Sequence, residues 1–112
     1  MRSLVFVAVV FLCLLSAVLA ASATASHILV KTEGEANSIK KEIEEGADFS
    51  EMAKKHSSCP SGKRGGSLGS FGRGQMVPEF DEVVFSGEVG KVLGPIETQF
   101  GQHLILINDR TD

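Results

Sequence analysis

Val92-Leu93-Gly94-Pro95-Ile96-Glu97-Thr98-Gln99-Phe100-Gly101-Gln102-His103-Leu104-Ile105-Leu106-Ile107 decides the fold. Val92 to Thr98 reads as one strand, Phe100-Gly101 as a turn, and the alternating run His103 to Ile107 as a returning strand, so the segment is a β-hairpin. The other strand signal is Ser26-His27-Ile28-Leu29-Val30-Lys31, rich in branched apolar residues and bounded by small polar ones. Period two places His27, Leu29 and Lys31 on one face, with Ile28 and Val30 opposite. If the first and last strands pair with the two histidines aligned, His103, Ile105 and Ile107 meet that face; sequence alone does not fix this register.

Helices fill the interval. After a turn at Thr32-Glu33-Gly34, the apolar positions Ala36, Ile39 and Ile43 recur among Lys and Glu, and Gly46 supplies the stop. Asp48 followed by Glu51 forms a capping-box-like start for a second helix, whose stripe is Phe49, Met52, Ala53 and His56 and whose end is near Ser57. A third and shorter helix begins at Pro78, carries Phe80, Val83 and Val84, and stops at Gly87. Between the second and third helices, Cys59 to Gly74 is too rich in glycine for a helix. It reads as a structured loop with room for one more strand, anchored by Leu68 and Phe71. The order is strand, three helices, strand pair: an α+β fold with a mostly antiparallel sheet.

Working outward to the N-terminus, Arg2 precedes an unbroken apolar run from Leu4 to Leu15, and Val18 and Ala20 stand where a signal peptidase reads small residues. Residues 1–20 are thus expected to be a secretory signal peptide, with an uncleaved membrane anchor as the less favoured reading. Residues 21–25 are expected to form a short extension, and residues 26–112 one domain. The chain of 112 residues has 11 basic and 14 acidic side chains, a balance that does not suggest nucleic-acid binding. Cys13 falls within the signal peptide, which leaves Cys59 without an internal disulfide partner.

Several chemistries can be weighed from the residues. His56 close to Cys59 invites a cysteine-hydrolase reading, but no third orienting group is identifiable. Three histidines and one cysteine lack zinc-like pair spacing. Ser61-Gly62-Lys63-Arg64 resembles the end of a phosphate loop, yet Ser57 stands where such a loop needs its first glycine, and Arg64 where it needs Ser or Thr, so nucleotide binding is rejected. By pattern alone Leu68, Met76 and Phe80 read as core, and His27 and His103 as ordinary strand residues.

Four segments together resemble the parvulin family: Ser26-His27-Ile28-Leu29-Val30; His56 to Gly66; Gly69-Ser70-Phe71-Gly72-Arg73-Gly74-Gln75-Met76-Val77-Pro78; and Gly94 to Ile105. They occur in family-like order and separation across the chain beyond the signal segment, closest to the small single-domain bacterial type. The resemblance implies a four-stranded antiparallel sheet surrounded by helices, in the order β-α3-β2 or a close variant. It also implies peptidyl-prolyl cis-trans isomerase activity on Xaa-Pro bonds of exported or secretory-pathway polypeptides, assisting their folding as a monomer without metal or cofactor. Residue by residue, it implies that His27 and His103 are paired histidines with Thr98 in their hydrogen-bond network, and that Cys59 is the site thiol. Leu68, Met76 and Phe80 match the proline pocket, with Gln75 and Phe100 on its rim.

Two departures stand out. Phosphate-directed members place a basic cluster between the first strand and first helix, where this chain has Thr32-Glu33-Gly34-Glu35. Those carboxylates repel a phosphoserine before proline. Ser67 occupies a position where an acidic or amide residue is common, which alters the support of the glycine-rich loop. The competing reading from another class is a non-catalytic chaperone that uses the same groove. Mass spectrometry of the secreted protein is expected to find an N-terminus near Ala21; an intact chain in the membrane fraction would instead identify residues 1–20 as an anchor.

Overall fold

The computed structural model describes residues 21–111, so the expected signal peptide lies outside the described residues. In chain order the elements are β1 (Ser22–Val30), α1 (Glu33–Glu44), α2 (Phe49–His56), a 3-10 turn (Pro60–Arg64), β2 (Ser67–Gly72), α3 (Pro78–Ser86), β3 (Val92–Thr98) and β4 (Gly101–Thr111). The strands form one antiparallel sheet in the order β2-β1-β4-β3. The glycine-rich loop contributes β2, the additional strand for which the sequence left room.

The central strands β1 and β4 are buried on both sides, and alternation hands their residues to two different cores. Ile28, Val30 and Leu104 pack under α1 and α2 with Ala36, Ile39, Phe49, Met52 and Ala53. Ala23, Ala25, Ile105 and Ile107 face α3 with Phe71, Phe80, Val84 and Phe85. In this second core the phenyl rings pack on one another: Phe71 lies 6.3 Å from Phe80 and 6.2 Å from Phe85, in tilted and perpendicular orientations. Small side chains at Ala23 and Ala25 leave room for those rings. This also accounts for a strand that starts at Ser22 rather than Ser26. Residues 22–25 lack the branched side chains that announce a strand, but both neighbouring strands pair with them.

Local chemistry sets the helix ends. Thr32 is the N-cap of α1, its hydroxyl accepting the Glu35 N–H, so the expected turn at Thr32-Glu33-Gly34 is already the helix entry. Asp48 caps α2 by accepting the Glu51 N–H. At the exit of α3, Arg110 of β4 donates through Nη1 to the carbonyls of Val84 and Gly87, which fixes that helix to the sheet.

Gly66 connects the 3-10 turn to β1. Its carbonyl accepts the His27 N–H at 2.9 Å. Its φ is +84°, and a Cβ there would lie 2.3 Å from the His27 carbonyl oxygen. Replacement by alanine is therefore expected to destabilise the domain by about 2 kcal/mol or more, because the close approach of two backbones is added to an unfavourable φ. Urea denaturation of Gly66→Ala against wild type measures this.

Candidate active site

His27 stands opposite Ile105, and Leu29 opposite His103, so the two histidines are offset by two residues along the sheet rather than aligned. A diagonal pair on one face remains within reach of long or aromatic side chains. Here the imidazoles lean together until their Nδ1 atoms are 3.0 Å apart, with ring planes at 18°. Both are nearly closed off from solvent, at 6 % and 4 % exposure. Phe80 stands nearly perpendicular to each, with centroids 5.8 Å away, and so joins the pair to α3.

The outer ring nitrogens also have partners. His103 Nε2 lies 2.7 Å from Thr98 Oγ1, which accepts the Phe100 N–H across the β3–β4 turn. His27 Nε2 lies 3.2 Å from Ser61 Oγ, and the Ser61 hydroxyl is 3.2 Å from Cys59 Sγ. One continuous chain of contacts therefore runs from Thr98 through both imidazoles and Ser61 to Cys59. Burial, and after it the neighbouring His103, lowers the His27 pKa from 6.5 to about 4. Burial lowers that of His103 as well. Both rings are thus held neutral near pH 7.

Cys59 is placed by the two serines before it. The Ser57 hydroxyl oxygen accepts the Leu29 N–H at 3.1 Å and the Cys59 N–H at 3.3 Å. Ser58 donates to the Leu29 carbonyl from its backbone N–H at 2.8 Å and from its hydroxyl at 3.1 Å. The end of α2 is thereby tied to both polar groups of Leu29 in β1, and the thiol follows over the sheet. Pro60 then opens the 3-10 turn.

Above the histidines lies an open, apolar cavity of about 400 Å³. His27, Cys59, Leu68, Met76, Phe80, Phe100 and His103 all line it, with Phe100 63 % exposed at its mouth. Thr98 supports the floor through His103. Gln75 is not in the lining: its side-chain oxygen accepts the Gly72 N–H at 2.8 Å and closes the loop after β2. His56 does not line the cavity either.

Leu29, Ser58, Pro60 and Val77 also line the cavity, though sequence reading did not assign them. For Leu29 a signal was present, because it shares the His27 face by period two. Ser61 had none: only the path of the 3-10 turn reveals that it bridges a thiol and an imidazole.

The chain resembles known proteins over most of its length. The family model of the PPIC-type PPIase domain matches residues 14–111. The foldase protein PrsA of Exiguobacterium sibiricum is 49 % identical over 90 residues, covering 79 % of this chain and 30 % of that protein. A crystal structure of the peptidylprolyl isomerase PrsA from Bacillus anthracis superposes with a TM-score of 0.79 at 39 % identity, covering 82 % of this chain and 43 % of that one. The solution structure of NmPin, the parvulin of Nitrosopumilus maritimus, gives 0.71 at 38 % identity, with 77 % and 94 % covered. The chain thus spans about a third of the curated PrsA relatives and nearly all of a small parvulin. With the family model matching residues 14–111 and the fold shared with these structures, the chain belongs to the PPIC-type peptidyl-prolyl isomerase family, the parvulins.

Proposed function

We propose that this chain catalyses cis-trans isomerisation of Xaa-Pro bonds in polypeptides entering or crossing the secretory pathway, and thereby assists their folding. The observation that carries this reading is the apolar cavity floored by two neutral, hydrogen-bonded imidazoles. Rotation about an Xaa-Pro bond must overcome a barrier of about 18–20 kcal/mol that comes from amide resonance, and no bond to the substrate need break. In the twisted transition state the amide has lost that resonance and is less polar than the hydrated planar form. A cavity walled by Leu68, Met76 and Phe80 holds the proline ring while the preceding carbonyl turns, and favours the twisted form by excluding water.

Neutral histidines suit this role, since a charged floor would favour the polar planar amide. Cys59 acts by hydrogen bonding rather than as a nucleophile, consistent with its placement at the end of a chain of neutral donors and acceptors. The β1–α1 junction offers no basic cluster: Glu33 and Glu35 lie in the first turn of α1, so this junction does not direct the enzyme to a phosphate. Export rests on residues 1–20. Among the described residues no helix is long and apolar enough to cross a membrane. The protein works as a monomer on proline-containing chains.

Exchange NMR of a short Ala-Ala-Pro-Phe peptide is expected to show accelerated cis-trans interconversion with catalytic amounts of protein, and Phe80→Ala to lower kcat/KM about tenfold or more. Absence of acceleration at high protein concentration would overturn the enzyme reading in favour of a holding chaperone. Cys59→Ser is expected to retain activity within about tenfold of wild type; complete loss with an intact fold would reinstate covalent attack.

The neutral histidines also predict a pH dependence of stability. Between pH 6.5 and about 4 the unfolded chain binds more protons at His27 than the folded one. The His27 contribution is therefore fully present above pH 6.5, is lost as pH falls through that window, and amounts to about 3 kcal/mol, with His103 acting in the same direction. Urea midpoints at pH 7 and pH 4 should differ less in His27→Gln than in wild type.

A further inference from the structure

A second cavity, of about 310 Å³ and far more polar, abuts the apolar one. The two share Ser58, Cys59 and Pro60, so a single extended chain leaving the first meets the second across that three-residue ridge. Lys54 from α2 and Lys63 from the 3-10 turn stand on its wall. Lys54 meets Glu51 at 3.5 Å on the outer surface of α2, with both side chains half or more exposed. The Lys63 side chain makes no hydrogen bond or ion pair among the described residues.

Ser57 adds a donor. Its hydroxyl oxygen accepts two backbone N–H groups, from Leu29 and Cys59, which occupies its lone pairs and leaves its O–H without an acceptor among the described residues. Two lysines and two serines therefore line this cavity, the Lys54 ammonium shared with Glu51 at its edge and the Ser58 hydroxyl engaged by Leu29, and no carboxylate lines it. That donor set fits an anion with several lone pairs and repels a cation.

We infer that this cavity is a specificity subsite that takes a carboxylate side chain, Asp or Glu, next to the substrate proline. The inference rests on the isomerase reading for the position of the proline, and on the cavity wall alone for the charge. Because both lysines are exposed, the selection is modest and salt-sensitive: at low salt, turnover should favour glutamate over lysine beside proline by about three- to tenfold. The ratio should fall toward one as salt rises.

The test uses Ala-Xaa-Pro-Phe and Ala-Ala-Pro-Xaa peptides with Xaa as Glu, Ala or Lys, followed by exchange NMR for turnover and by chemical-shift titration for binding. Wild type is expected to rank Glu above Ala above Lys in one of the two series, which also tells on which side of proline the subsite lies. The charge-reversed Lys54→Glu/Lys63→Glu protein is expected to invert the ranking while leaving the Ala peptides unchanged. A ranking that is flat in wild type, or unaltered by the double reversal while Ala peptides are still turned over, overturns the subsite. Charge-selective binding that the reversal inverts, without any acceleration of exchange, supports the subsite and overturns the isomerase reading instead.

Discussion

The pairing of β1 with β4 is the constraint on which the rest of the structure depends. It brings His27 and His103 to one face, and the 3.0 Å contact between their Nδ1 atoms then allows two arrangements of protons when both rings are neutral. In one, His27 donates through Nδ1–H, accepts at Nε2 from the Ser61 hydroxyl, and His103 donates through Nε2–H to Thr98. The Ser61 proton is then turned away from the Cys59 sulfur. In the other, Thr98 donates to His103, His103 to His27, His27 to Ser61 and Ser61 to the sulfur. Each reversal at the histidine pair decides whether the Ser61 hydroxyl donates to the ring or to the sulfur. The tautomers and the sulfur are one coupled system.

Such a system is expensive to bury unless every polar atom finds a partner. The fold meets this by recruiting partners from three separate segments: Thr98 at the end of β3, Ser61 in the 3-10 turn, and the Gly66 carbonyl for the His27 N–H. Around them the packing is apolar, with Ile105 and Ile107 beneath and Phe80 beside the rings. Desolvation by this shell keeps the imidazoles neutral, and the same shell makes the cavity a poor solvent for a planar, hydrated amide. Stability and the proposed chemistry thus draw on one property of the site.

How far this was legible in the sequence depends on whether the signal was local. The alternation from His103 to Ile107, the Asp48–Glu51 cap and the Ala36, Ile39 stripe are local patterns, and each reappears as β4, α2 and α1. Residues 22–25 were read as an extension because alanine, serine and threonine advertise no buried face. Their place in β1 is set by the rings of Phe71, Phe80 and Phe85, which are distant in sequence. The histidine offset depends on register, which no single strand encodes. The hydrogen bond by which the Gln75 side chain closes the turn beside Gly72 was not legible, because it depends on how the loop after β2 folds back. Family resemblance singled out Cys59, Leu68, Met76 and Phe80, which line the apolar cavity, where periodicity alone had left them as core or ambiguous.

The position of Cys59 joins these threads. On one side it borders the apolar cavity with the neutral histidines at its floor, and on the other the polar cavity with its lysines and the Ser57 hydroxyl. Ser57 and Ser58 hold it there by engaging both backbone groups of Leu29, so the ridge between the two cavities is anchored to the same strand that carries His27. A chain lying across that ridge would place an amide where charge is excluded and a neighbouring side chain where charge is rewarded. Uncharged chemistry and charge-based selection conflict if they share one chamber, because a lysine close enough to choose a substrate would also stabilise the planar amide. Two chambers divided by a strand-anchored ridge remove that conflict.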